Sequence, residues 1–439
     1  MAIHRTLLCL CLLWSSCLPT ISLSGYAAET TSTRLVARLA GRSDEARIRA
    51  IAEVSRTVQR KYQALPELKE AAELLIAELS PEDQLSIGTV TLIYTLGTID
   101  RKEAEESLIS MLDSRHTDVV LIAADVLGKN KFHNSIETIY QLKDHPAFTE
   151  NYGFRFNLIR ALAQMQHPRA IELLTQWRHE FDGQLRHEIK KLLTEVDVRD
   201  FGGDEKRFNA WQRSMSLEGS VSPDEDDMDA MDENLKATNP AQIKLYPASH
   251  ASDSPNRVEL SKSSQYYGID IHAKRLMFII DHSGSMEEYW DGLSRLQRAK
   301  SELIKTIEEL DPRSEFALMF YATDVHVWKS TLLLANDQNK REAIAFVKRL
   351  QYGDRTNTYG ALKNAIEFDQ QLEAVFLLTD GQPTIGDFVK PAEIVQDIMQ
   401  RNRFRHLKFN TIGIAINRST EAFLSAIAEQ SGGEYRAAN

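Results

Sequence analysis

The sequence predicts an α/β fold, a doubly wound and mostly parallel sheet, preceded by an α-solenoid. Three observations predict it. After Lys274, apolar runs of strand length alternate with stretches of helical periodicity. From about 34 to 200 the pattern is helix after helix, in recurring turn-and-apolar blocks. Between them, from 201 to 262, the periodicity dissolves and acids accumulate. A chain of 439 residues, 43% hydrophobic and 26% charged, has material for two or three globular domains. Its 52 Lys and Arg against 63 Asp and Glu give a net charge of −11, a poor match to nucleic acid.

The N-terminal segment, 1–27, reads as an export signal. His4 and Arg5 precede an apolar run from Leu7 to Trp14, and Gly25-Tyr26-Ala27 places small residues before a cut after Ala27. That run is shorter than the roughly 20 residues a membrane-spanning helix needs, and no later apolar stretch is longer, so no integral span is expected. Ser15-Ser16-Cys17 weakly resembles a lipid-attachment site, but Trp14 stands where Leu or Val is expected, so release is the preferred reading. Cys9, Cys11 and Cys17 are the three cysteines of the chain. The body therefore holds no disulfide framework, thiolate zinc site, iron–sulfur cluster or cysteine nucleophile.

Within 34–200, blocks beginning at Val90, Val120 and Phe156 align on Leu96, Leu127 and Leu162, spaced by 31 and 35 residues. Each has an apolar helix, a small residue (Gly97, Gly128 or Ala163), a turn and a second apolar-periodic helix. One such pair cannot bury its own apolar face, so neighbours must stack. The blocks resemble short HEAT repeats. Tyr140, Trp177 and Phe181 are read as packing residues at helical spacing.

The segment 201–262 is read as a disordered acidic linker. Asp224 to Glu233 carries seven acids and no base. The spacing of an EF-hand calcium loop is missing.

The alternating region starts with "LMFIID" (276–281), a continuous apolar run ending on an acid, as expected of a strand buried on both faces. Leu293, Leu296, Leu303, Ile304, Ile307 and Leu310 then follow helical spacing. "EFALMFYA" (315–322) is a strand with a short partner at 324–328. Helices near 338–350 and 359–369 lead to the strand "AVFLLTD" (374–380). A helix near 391–401, a strand at 407–416, a helix near 419–430 and a short strand at 432–437 complete the series. In such sheets functional groups gather at the carboxyl ends of strands, where strand order reverses. "QRNRFRHLK" (400–408) is a basic cluster at the opposite end, read as a solvated face.

Those carboxyl ends carry oxygen donors. Asp281, Ser283 and Ser285 follow the first strand with Gly284 allowing a tight loop, Thr356 heads a helix, and Asp380 closes a later strand. A set offering oxygen alone suits a hard cation, Mg²⁺ or Mn²⁺, rather than zinc. Asp-x-Ser-x-Ser, Thr-x-Thr-x-Gly-Ala-Leu and Thr-Asp-Gly, in this order, resemble the von Willebrand factor A domain over roughly 270–437. The resemblance implies a Rossmann-like fold and a metal-ion-dependent adhesion site. Asp281, Ser283, Ser285, Thr356 and Asp380 match its ligands and Thr358 matches a loop-supporting threonine. His282, inside the loop, is assigned to the rim. The chain ends at Asn439 directly after the last strand, so the sliding C-terminal helix of affinity-switching relatives is not expected here.

The reading that follows is an exported, non-enzymatic interaction protein of a bacterial envelope, periplasmic or secreted. Its A domain would take an Asp or Glu carboxylate of a protein partner through the cation, with the helical repeats as scaffold. A structural envelope protein that binds through the repeats is the alternative, and a hydrolase stands behind both. His179-Glu180 and His187-Glu188 do not complete a His-Glu-x-x-His motif, because Gly183 and Lys191 stand at the second histidine position. No Gly-x-Ser-x-Gly elbow is present. The acidic linker is also a candidate occupant of the cation's open position in cis.

Overall fold

The computed structural model describes residues 33–80, 83–195, 264–290 and 292–438. The export segment with its three cysteines and the acidic linker of 201–262 lie outside the described residues. The chain divides into two compact units, 1–108 and 109–439. The helices after 109 thus share a unit with the α/β sheet, a division that the helical pattern does not mark.

The first unit is helical: α1 (Asp44–Val54), α2 (Val58–Gln63), α3 (Leu65–Ala77) and α4 (Ile87–Gly97), with α5 (Lys102–Ser110) crossing its end. The starts are locally encoded. Ser43 and Ser86 accept from Ala46 N and Thr89 N as N-caps, each worth about 1 kcal/mol. Both α1 and α3 pack on α4, whose Leu92, Ile93 and Leu96 are fully buried.

The second unit opens with α6 (Thr117–Lys129), α7 (Ile136–Gln141), α8 (Pro146–Glu150), α9 (Tyr152–Met165), α10 (Pro168–Glu180) and α11 (Gly183–Glu195). Each of the three sequence blocks is a helix–turn–helix, and helices pack on near neighbours in the chain: α6 on α9, α9 on α10, α10 on α11. This is the solenoid-like arrangement. The small residue of the second block has a steric cause, since a Cβ on Gly128 would lie 2.6 Å from the Ala161 carbonyl oxygen of α9. Trp177 is fully buried and stacks on Tyr140 with 5.2 Å between ring centroids, so both are packing residues.

The sheet follows a two-residue hairpin, β1 (Gln265–Tyr266) and β2 (Ile269–Asp270). Its chain order is β3 (Arg275–Asp281), the hairpin β4 (Tyr289–Trp290) and β5 (Leu293–Ser294), α12 (Arg295–Glu309), β6 (Glu315–Tyr321), β7 (Val325–Val327) and β8 (Leu333–Leu334). There follow α13 (Asp337–Arg349), α14 (Thr358–Phe368), β9 (Ala374–Thr379), α15 (Pro391–Arg401), β10 (Lys408–Ile414), α16 (Arg418–Ser431) and β11 (Tyr435–Ala438). The spatial order is β11-β10-β9-β3-β6-β7, with β8 also on β6. The strands β3, β6, β9, β10 and β11 are parallel, while β7 and β8 pair antiparallel with β6.

Alternating residues feed two cores. Phe278, Ile280, Phe316 and Phe376 pack with Leu303 and Ile307 of α12 on one face. Met277, Ile279, Val375 and Phe409 pack with Leu362, Ile398 and Leu424 of α14, α15 and α16 on the other. Because both faces are covered, the strands read as unbroken apolar runs. Strand order reverses at β3, so the crevice between β3 and β9 opens at their carboxyl ends, beside Asp281 and Asp380.

The basic cluster of 400–408 is a solvated face only in part, at Gln400, Arg401 and Arg403. Asn402 and Arg405 are buried, and the Arg405 guanidinium donates to the carbonyls of Ile366, Asp369 and Gln370. Helix α9 docks on this turn: Asn157 Nδ2 donates to Phe404 O at 3.0 Å and its Oδ1 meets His406 Nε2 at 3.0 Å. Nearby, Gln184 N of α11 donates to Glu373 Oε2 at 3.2 Å, and Lys408 pairs with Glu188. The helices therefore attach at the amino ends of β9 and β10, the end of the sheet away from the crevice.

Candidate functional site

Strand β3 delivers Asp281 to the mouth of the crevice with its side chain fully buried. Its Oδ1 accepts from Ser283 N at 2.8 Å, which turns the chain into the short helical loop Gly284–Glu287. Its Oδ2 accepts from Thr379 Oγ1 at 2.6 Å, so the last residue of β9 orients an acid on β3. One residue on, Asp380 Oδ1 accepts from Ser285 Oγ at 2.7 Å, and Ser285 Oγ lies 3.3 Å from Ser283 Oγ. Four of the five predicted residues are thus linked into one polar chain.

Thr356, the fifth, sits on the loop that closes the same crevice. Gly284 N donates to Asp354 O at 2.9 Å, and Gly353 N donates to His282 O at 2.7 Å, binding this loop to the first. Thr356 N donates to Thr384 Oγ1 at 2.9 Å, and the Thr356 hydroxyl makes no hydrogen bond to a described residue. Asn357 caps α14 by accepting from Gly360 N at 3.0 Å, which fixes the turn that carries Thr356. Thr358 is buried beneath the site, with its hydroxyl beside that of Tyr321, which Thr379 also neighbours. His282 is half-buried and engages Gln351 O through Nδ1 at 2.8 Å.

Burial pushes the Asp281 carboxyl up to about 6 and the nearby charge of Asp380 adds to the rise, while Ser283 and Thr379 pull it back through hydrogen bonds. Asp281 has no cationic partner among the described residues. Arg295 pairs with Asp380 rather than with this buried carboxylate, whose side-chain neighbours Ser283, Thr379 and Asp380 offer hard oxygens. The residues present fit a hard divalent cation.

Two participants escaped the sequence reading. Thr379 stood in the Thr-Asp-Gly fragment without a role, although its position beside an acid at a strand end was visible. Arg295, the first residue of α12, donates from Nη1 to Asp380 Oδ2 at 2.8 Å and pairs through Nη2 with Glu288 at 2.6 Å. Nothing in its spacing from Asp380 announces that contact.

The fold and this crevice define a doubly wound α/β domain whose loops gather oxygen donors at the switch point. Residues 276–438 match the von Willebrand factor type A domain model, and this segment of the chain is such a domain. Inter-alpha-trypsin inhibitor heavy chain H4 of Homo sapiens is 28% identical over 180 residues, covering 38% of this chain and 18% of that protein. Von Willebrand factor A domain-containing protein 3B of Homo sapiens is 31% identical over 167 residues, covering 38% of this chain and 12% of that protein. The chain thus spans less than a fifth of these relatives' length. Among solved structures, von Willebrand factor type A from Catenulispora acidiphila has 22% identity, a TM-score of 0.33 and coverage of 38% of each chain.

Proposed function

We propose that this is an exported, non-enzymatic protein-interaction module whose A domain takes an acidic side chain of a protein partner through Mg²⁺ or Mn²⁺. The observation that carries this reading is Asp281, a fully buried carboxylate without a cationic partner among the described residues, facing hydroxyls at the mouth of the switch crevice. Asp281, Ser283 and Ser285 would hold the cation, with Thr356 and Asp380 completing the set. When bound, the cation supplies an electrophilic position that a partner's Asp or Glu carboxylate can fill. The protein's own contribution is positional. Ser283 N and Thr379 Oγ1 fix both oxygens of Asp281, and Ser285 fixes one oxygen of Asp380.

The helical repeats act as scaffold in this reading. Their attachment at the far end of the sheet leaves the crevice clear of α9 and α11. No helix among the described residues is long and apolar enough to cross a membrane. Export rests on the pattern of 1–27 in the sequence, and a bacterial envelope setting goes with it.

The test is capture of envelope proteins by wild-type chain and by Asp281→Ala, each in Mg²⁺ and in EDTA. Partners retained by wild type in Mg²⁺ and lost in the other three conditions support the reading. Capture that is unchanged by EDTA overturns it.

A further inference from the structure

We propose that Arg295 is a resident competitor for the cation at this site, weakening metal binding by the free protein and favouring it when an acidic ligand is present. The inference rests on the divalent-cation reading above and assigns that site a built-in control. Both oxygens of Asp380 are occupied in the structure. Ser285 Oγ donates to one at 2.7 Å and Arg295 Nη1 to the other at 2.8 Å. The Asp380 side chain is fully buried and that of Arg295 is 15% exposed, so this ion pair is poorly screened.

Arg295 is held there by construction. Ser294 and Gln297 form a reciprocal capping box, with Gln297 N donating to Ser294 Oγ at 3.1 Å and Ser294 N to Gln297 Oε1 at 2.9 Å. Tyr352 Oη donates to the same Ser294 oxygen at 2.8 Å, from outside the helix. The first helical residue is therefore fixed in place, and it points a cation at a site argued to take a cation. A helix N-terminus favours negative charge, so α12 itself does not hold the guanidinium. Asp380 and Glu288 do, while the Nε of Arg295 is buried without a partner.

The charges give the consequence. With Glu288 left out because it is 64% exposed and screened by solvent, the buried site charges Asp281, Asp380 and Arg295 sum to −1, where the two carboxylates alone would present −2 to the metal. With a divalent ion added, the three side chains and ion carry +1 rather than zero. A partner carboxylate then brings the site to neutrality, so metal and acid each raise the affinity of the other. Glu288, 64% exposed and already paired with Nη2, keeps hold of Arg295 when Asp380 turns to the metal.

Mn²⁺ titration of the full chain, read by loss of the free-ion electron spin resonance signal, tests this. Arg295→Gln should bind Mn²⁺ at least about tenfold more tightly than wild type, and Arg295→Lys, which keeps the charge, should stay within about threefold. Acetate, as the simplest carboxylate, should raise the Mn²⁺ affinity of wild type more than that of Arg295→Gln. Equal or weaker Mn²⁺ binding by folded Arg295→Gln overturns the competitor role, and the cation reading stands if Asp281→Ala has lost the ion. Absence of Mn²⁺ binding in both wild type and Arg295→Gln overturns the two together. If Arg295→Gln does not fold, the wild-type acetate titration decides: an Mn²⁺ affinity indifferent to acetate overturns the proposal.

Discussion

Thr379 donates its hydroxyl to Asp281 at 2.6 Å, across the crevice where the strand order reverses. The contact is fully buried, so it orients the acid and satisfies one of its oxygens in the absence of solvent. Thr379→Val keeps the β-branched shape and the strand propensity while removing the donor. We expect a loss of about 1–3 kcal/mol, the cost of leaving a buried acceptor unmatched. Urea denaturation in EDTA measures it, and a change below about 0.5 kcal/mol would show that Asp281 finds another donor.

Gly153 tests the attachment of α9 to the α/β sheet. A Cβ there would stand 2.1 Å from Phe404 O and 2.8 Å from Arg405 O, both backbone atoms that cannot rotate away. Gly153→Ala must lift α9 from the turn and break the Asn157 contacts to Phe404 and His406. The expected cost is about 2–4 kcal/mol, in the range of overpacking joined to lost buried hydrogen bonds. Hydrogen exchange should accelerate in α9 and in 402–406 together, while β3 at Asp281 keeps its protection. Acceleration confined to α9 would mean that the two are not one cooperative unit.

The legible parts of this fold are those whose burial writes a pattern. The strands β3 and β9 announce themselves because helices cover both faces, leaving "LMFIID" and "AVFLLTD" without polar interruption. The hairpins β1–β2 and β4–β5 leave no such trace, since two residues are too few for any period. Arg405 misled for a different reason. Its guanidinium is held by hydrogen bonds to the backbone carbonyls of Ile366, Asp369 and Gln370, so nothing in the chain nearby marks it as buried. At the site, Asp281, Ser283 and Ser285 were readable as one loop, whereas Arg295 reaches Asp380 across 85 positions of sequence. Contacts of that kind are set by topology, and topology brings α12 and β9 together through a central strand that neither belongs to.

The same attachment makes stability depend on pH. Glu373, at the foot of β9, is 4% exposed and accepts from Lys274 N at 2.9 Å and Gln184 N at 3.2 Å. Burial outweighs these bonds and the pull of Arg275, and pushes its carboxyl up to about 7 from 4.5. Between those values the folded chain holds a proton that the unfolded chain has released. This group's contribution therefore declines as pH rises from 4.5 through 7. Glu373→Gln keeps an acceptor and removes the charge, so it should gain roughly 1–3 kcal/mol on wild type at pH 8 and little at pH 5. Urea midpoints at the two pH values check this, and an equal effect at both would place the cause in packing.

His406 has the opposite sign. It packs on Phe156 with ring centroids 4.5 Å apart, and burial, aided by the charge of Arg160, pushes its imidazole down to about 3. Below the ordinary histidine value of about 6.5 the unfolded chain takes up a proton that the folded chain refuses. Stability from this group is whole above that value and is lost as pH falls toward 3, by at most about 1.4 kcal/mol per pH unit. His187, stacked on His272 at 3.8 Å and pushed down to about 4 by burial, adds to the same slope. The residue at 406 has a backbone φ of +47°, a conformation asparagine also tolerates, so His406→Asn removes the titration without forcing the turn. The variant should lose stability less steeply than wild type between pH 6 and 4, read from thermal melts across that range. Parallel slopes would mean that α9 leaves the turn before His406 takes its proton, and exchange in α9 would then rise ahead of global unfolding.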